Sequence, residues 1–156
     1  LSKAMGLNGL VVMFICNHCP YVKAILPRLV SDLAELKKLG INAVAISSND
    51  AVKYPEDSFA NMQKISNNHL FSFPYLFDQT QELAKSYNAI CTPDFFGFNQ
   101  ALELQYRGRF DSSGRGEAPL DNKRDLYHAM KLVAETQKGP NEQFSSIGCS
   151  IKWKDS

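Results

Sequence analysis

Residues 10–20 read Leu10-Val11-Val12-Met13-Phe14-Ile15-Cys16-Asn17-His18-Cys19-Pro20. Six apolar residues in succession are too few for a helix core and describe a strand buried on both faces. Two thiols, Cys16 and Cys19, follow at once with two residues between them, and a helical repeat begins after them. A strand that passes into a helix through a thiol pair sets that pair at its own carboxyl end. Open α/β sheets carry their sites there.

Downstream, Val22, Ile25, Leu26, Leu29, Val30, Leu33 and Leu36 keep helical spacing, with Lys23, Arg28, Asp32, Glu35 and Lys37 on the other face. Pro27 is expected to kink this helix and Gly40 to end it. Residues 41–47 form a second buried strand. Either Asp57 or Ser58 caps a short helix carrying Phe59, Met62 and Ile65. A third strand covers 74–77 and a short helix 80–87. Pro93 breaks the chain before Phe95, Phe96 and Phe98, and a strand over 102–110 returns after a tight turn at Asn99-Gln100, an antiparallel hairpin. Asp121 is the expected cap of a last helix with Leu126, Met130 and Val133 on one stripe. In the tail, 141–156, Ile147, Cys149, Ile151 and Trp153 alternate like an extended segment docked on apolar surface. This order is an α/β pattern with an antiparallel edge, read as one domain over 1–156.

The chain of 156 residues can bury a sizeable core, and 44% hydrophobic with 21% charged residues is ordinary for a globular protein. A net charge of +1 gives no electrostatic reason for a nucleic acid or an anionic membrane as partner. No apolar run approaches the ~20 residues that span a bilayer. Because residue 1 is Leu, the N-terminus is expected to be truncated. A cytoplasmic location is favoured, with a periplasmic or secreted one left open. The expected assembly is a monomer or weak dimer.

Four cysteines are too few to staple a chain of this length, which leaves catalytic, metal-binding or buried roles. Disulfide exchange needs one thiolate to attack and a second thiol to resolve the mixed disulfide. Cys16 is expected to be the exposed attacker on the first helical turn, where unpaired N–H groups favour an anion. Cys19 is expected to resolve, and His18 to tune the thiolate. Such settings lower a thiol pKa from about 8.5 into roughly the 3.5–7.5 range. A stabilised reduced form makes the disulfide more oxidising. Two other readings stand beside this one. One is a zinc site in which Cys16, His18 and Cys19 join a distant Cys91 or Cys149; the other is inert buried thiols. Without a second closely spaced pair, neither a metal nor another cofactor is expected.

Several stretches carry a resemblance. FICNHCPYVK at 14–23, VAISSND at 44–50, YPEDSF at 54–59, FPYLFD at 73–78, CTPDFF at 91–96, YRGRFD at 106–111 and SIGCSIKW at 146–153 span nearly the whole chain. Together they are similar to a branch of the thioredoxin-like superfamily, the alkyl hydroperoxide reductase and thiol-specific antioxidant (AhpC/TSA, redoxin) proteins. The resemblance implies a thioredoxin-like α/β fold with a mixed sheet in the order 75–78, 41–47, 10–15, 94–99, 102–110 and helices on both faces. It implies a cis peptide at Thr92-Pro93 facing the thiols, with Thr92 backbone groups free for a substrate strand. Asn17, Thr92 and Pro93 are thus the expected substrate-binding residues. Protein or small-molecule disulfides are the expected partners, with a thiol or dithiol as reductant.

Two departures from related patterns bear on chemistry. True peroxiredoxins carry Pro-x-x-x-Thr-x-x-Cys, whereas Gly9 and Met13 occupy those positions before Cys16. The peroxidase reading, with Cys16 as the peroxidatic thiol, is therefore the alternative. Thioredoxins place a buried carboxylate where Leu10 stands, which leaves water or His18 as proton acceptor for Cys19. Cys91 is either a third redox thiol or, the preferred reading, a small buried apolar residue. Cys149 pairs with Cys91, folds back over the thiol pair, or simply belongs to a docked strand. Asn49 and Asp50 line the cleft or serve the turn after the second strand.

Overall fold

The computed structural model describes residues 3–155. Strand β1 (Gly9–Phe14) is buried along its whole length. It pairs in parallel with β2 (Ile41–Ser47) and antiparallel with β5 (Asp94–Asn99). Beyond β2 lies the short β3 (Tyr75–Phe77), and beyond β5 lies β6 (Leu104–Gly108). The sheet order β3-β2-β1-β5-β6 is the one the resemblance implied. Its central strand therefore delivers Cys16 and Cys19 to the sheet's edge.

The alternation of β1 sorts its side chains into two cores. Val11 and Met13, with Ile15 beyond the strand, face α1 (Pro20–Lys38) and α4 (Asp125–Thr136) and pack with Leu29, Leu36, Leu126 and Met130. Leu10, Val12 and Phe14 face the other way, against Ala84 of α3 (Glu82–Tyr87), Phe96 and Ile151. Full burial of each such aliphatic or aromatic side chain contributes about 1.5–3 kcal/mol. The sheet is thus held from both sides, and β1 has no freedom to slide. The short α2 (Phe59–Asn68) lies beside β3 with Met62 buried.

Helix α1 runs through Pro27 as a single element and stops where Gly40 takes φ +83, a left-handed value that glycine reaches without strain. Ser58 caps α2, its hydroxyl accepting from the Asn61 N–H at 3.2 Å. Three expected boundaries are corrected. The hairpin turn is not a tight pair at Asn99-Gln100; it closes between Asn99 and Glu103, because Asn99 Oδ1 accepts from the backbone of both Ala101 and Glu103. That shortens β6 from the expected 102–110. Helix α4 starts at Asp125, not at Asp121, and Arg124 precedes it with no side-chain cap. Helix α3 starts at Glu82 because Gln81 adopts a left-handed φ of 66.

A second, two-stranded sheet lies next to the thiols. Strand β4 (Cys91–Thr92) pairs antiparallel with β7 (Cys149–Ser150), which brings Thr92 opposite Cys149. Among the described residues no helix is long and apolar enough to cross a membrane.

Candidate functional site: three thiols at the start of a helix

Helix α1 begins at Pro20, and Cys19 is its N-cap residue. Pro at the first helical position has no N–H to leave unpaired, which makes this a natural start. Cys16 therefore stands ahead of the helix, not on its first turn as expected. It is also not exposed: Cys16 is 2% and Cys19 0% accessible. The anion-stabilising helix terminus faces Cys19 instead.

The contacts at the two sulfurs differ accordingly. Cys16 Sγ lies 3.5 Å from the Thr92 hydroxyl. Cys19 Sγ lies 3.3 Å from the Thr92 carbonyl oxygen and 2.9 Å from Cys149 Sγ. Cys19 is lowered to about 4 because its sulfur accepts from Cys16 first. Against the effect of burial, its contacts with Cys149, the Val22 N–H in the first turn of α1 and the Thr92 side chain lower it further. Cys16 is pushed up by donating to Cys19, by burial and by the nearby negative charge of Asp57. Cys149 is pushed up to about 11, chiefly by burial and then by its contact with Cys19. Of the two thiols, Cys19 is thus the one held low and Cys16 the one pushed up, the reverse of the expected assignment.

Beside Cys16 lies a pair that the motif only half revealed. Asp57 is fully buried and accepts from the Asn17 N–H at 2.8 Å and from Asn49 Nδ2 at 2.9 Å. His18 Nδ1 lies 2.6 Å from the same carboxylate, outside hydrogen-bond geometry. His18 is 24% exposed and its ring stacks on Tyr54 at 5.8 Å. The arrangement places a partly exposed imidazole between Asp57 and solvent, close to Cys16.

Cys16, His18 and Asp57 present donor atoms within 4.8 Å of one another. That is a different set from the zinc ligands weighed on sequence, since Cys19 and Cys149 lie outside it. Both Asp57 oxygens already accept hydrogen bonds from the protein, which suits a carboxylate holding a histidine and a loop in place.

Asn17 was expected on the substrate side, and it is turned inward instead. It is 5% accessible; its Nδ2 donates to the Glu56 carbonyl at 2.9 Å and its Oδ1 accepts from Tyr75 at 3.0 Å. The Thr92-Pro93 peptide is cis, as the resemblance implied. The backbone edge at Thr92 is not free, however, because β7 fills it. Cys91 is buried, directs its thiol at the Pro93 carbonyl at 3.7 Å, and is pushed up to about 12 by burial. It joins no other thiol, so of the two outer cysteines only Cys149 reaches the pair.

Sequence reasoning missed Asp57 as a site residue. Its signal lay in the choice between Asp57 and Ser58 as helix cap: only one can serve, and the other is released for different work. Asn49, left between cleft and turn, serves as a structural link, joining Asp57 to the tail through the Lys152 N–H at 2.9 Å. Leu10 is packed in the core at the position of the absent carboxylate. A cleft of about 700 Å³ lies between α4 and residues 140–144 and contains no thiol.

Comparison with known proteins gives a consistent picture. The AhpC/TSA family model matches residues 1–110. The chain is 44% identical to an uncharacterized conserved protein of Geobacillus kaustophilus, with a TM-score of 0.94 over 100% of this chain and 82% of that one. It is 35% identical to a hypothetical protein of Sinorhizobium meliloti, with a TM-score of 0.92 over 99% and 84%. A thiol:disulfide interchange protein of the thioredoxin family from Chlorobium tepidum shares the fold at 16% identity, with a TM-score of 0.61 over 81% and 79%. No curated protein matches the chain.

Proposed function

This chain belongs to the AhpC/TSA family and has a thioredoxin-like fold, and from that premise we propose that it is a thiol–disulfide oxidoreductase working through a Cys16/Cys19 couple. The observation that carries this reading is the position of Cys19 as the N-cap of α1, its sulfur 2.9 Å from Cys149 Sγ and 3.3 Å from the Thr92 carbonyl oxygen, with its pKa lowered chiefly by Cys16. A sulfur that is comfortable as an anion is a good leaving group. When the pair is oxidised, an incoming substrate thiolate attacks Cys16 Sγ and breaks the Cys16–Cys19 bond. Cys19 leaves as the thiolate that the helix terminus already favours. In the reverse direction Cys16 attacks a substrate disulfide, and Cys19 resolves the mixed disulfide and releases the substrate thiol. His18, held by Asp57, carries the proton to and from Cys16. Protein or small-molecule disulfides are the substrates, and a thiol or dithiol returns the electrons.

Peroxide reduction is a second reading that one observation favours. The Thr92 hydroxyl stands 3.5 Å from Cys16 Sγ and offers the hydroxyl that Met13 does not. Stoichiometric consumption of hydrogen peroxide by the reduced protein supports it; no consumption removes it.

The exchange reading is tested by trapping. With Cys19→Ser and Cys149→Ser combined, no neighbouring thiol can resolve an adduct at Cys16. Incubation with a peptide disulfide is expected to leave one peptide on Cys16, located by mass spectrometry, whereas the unsubstituted chain releases it. An adduct on Cys91 alone, or none, overturns the reading.

A further inference from the structure

The tail of this protein lies where an external substrate strand would bind. Extended peptides add to exposed sheet edges through main-chain hydrogen bonds, and here β7 pairs with β4 so that Cys149 is opposite Thr92. The approach is closer than an ordinary side chain permits: a Cβ on Gly148 would collide with the Thr92 carbonyl. On either side of Cys149 the segment is pinned. Ser146 Oγ donates to Asp94 Oδ1 at 2.7 Å, and the Lys152 N–H donates to Asn49 Oδ1 at 2.9 Å. Ile151 is buried in the second core. The result is a sulfur held 2.9 Å from Cys19 Sγ by anchors before and after it.

We propose that Cys149 is a third redox thiol and that the tail is a tethered substrate strand, the disulfide moving between Cys16–Cys19 and Cys19–Cys149. The inference rests on the oxidoreductase reading and extends it. In the step, the half-buried Cys149 gives its proton to water and its sulfur attacks Cys19 Sγ of the Cys16–Cys19 disulfide. A Cys19–Cys149 bond forms and the Cys16–Cys19 bond breaks. Cys16 leaves with the electron pair and regains a proton from His18 or water. One thiol and one disulfide give one disulfide and one thiol, so no further oxidant is needed. Once transfer is complete, the disulfide joins α1 to the tail, and Cys149, which is only half-buried, is the sulfur through which an outside thiol can collect it.

The full chain is oxidised with excess oxidised glutathione, quenched with acid, alkylated and mapped by mass spectrometry without reduction. In the unsubstituted chain both Cys16–Cys19 and Cys19–Cys149 linkages are expected. Cys16→Ser and Cys16→Ala each retain Cys19, Cys91 and Cys149, and each is expected to lose two of its three free thiols without gaining the mass of glutathione. If Cys16–Cys19 forms but no Cys19–Cys149 linkage appears in any of the three proteins, the relay is overturned and the oxidoreductase reading stands. If the unsubstituted chain forms no Cys16–Cys19 linkage either, that reading fails as well.

Discussion

At the scale of the residue, the account turns on where one negative charge resides. Cys19 is lowered to about 4 by Cys16, Cys149, the Val22 N–H and Thr92, whereas an unfolded thiol titrates at about 8.5. A depressed folded value contributes stability that is complete above the unfolded value and is lost as pH falls through about 4. The reduced protein is therefore expected to show one thiolate by ultraviolet absorbance at neutral pH, vanishing on acidification and absent in Cys19→Ser. In Cys149→Ala one donor is gone, and the titration is expected to move upward; an unchanged curve would mean that Cys149 does not touch the anion. Asp57 is the other decisive residue. Asp57→Asn turns an amide toward donors that now meet an acceptor on both oxygens. The loss is expected to be about 1–3 kcal/mol in urea unfolding, the range for a buried group left unpaired. The motif made Cys16, His18 and Cys19 legible, since their spacing is local. It could not reveal Asp57, which arrives from about 40 positions away and whose sequence context fits a helix cap equally well.

At the scale of the element, the long periodic segments were readable and the short ones were not. Strand β1 and helix α1 declare themselves through an unbroken apolar run and a 3.6-residue repeat. The tip between β5 and β6 depends on one side chain, Asn99, bonding its own loop, and no periodicity encodes that. The start of α1 was misjudged by one turn. Pro20 was the available signal, because its place as first helical residue makes Cys19 the cap and leaves Cys16 outside. The alternation through Ile147, Cys149 and Ile151 marked the tail as extended, but not where it docks; the two-residue β7 sits there because the edge of β4 and the glycine at 148 admit it. Gly148→Ala should force that edge open while the main sheet stays folded. Cys16 and Cys19 are then expected to alkylate at least about tenfold faster, corresponding to roughly 1.4 kcal/mol of lost docking. Equal rates would show that β7 does not shield them.

At the scale of the whole molecule, strand order was legible only through the resemblance that the motifs carry, and the observed order agrees with the implied one. The meeting of sequence-distant parts was not legible: α1, the Thr92-Pro93 loop, the 55–57 turn and the tail converge on two sulfurs. On the proposed reading, an anion at Cys19 makes that convergence favour the dithiol form over the disulfide. The most direct test is the equilibrium of the Cys16–Cys19 couple against graded reduced and oxidised glutathione in the full chain. The account predicts a potential less negative than the roughly −270 mV of thioredoxin. A potential at or below that value, or a couple that never forms a Cys16–Cys19 disulfide, would contradict it.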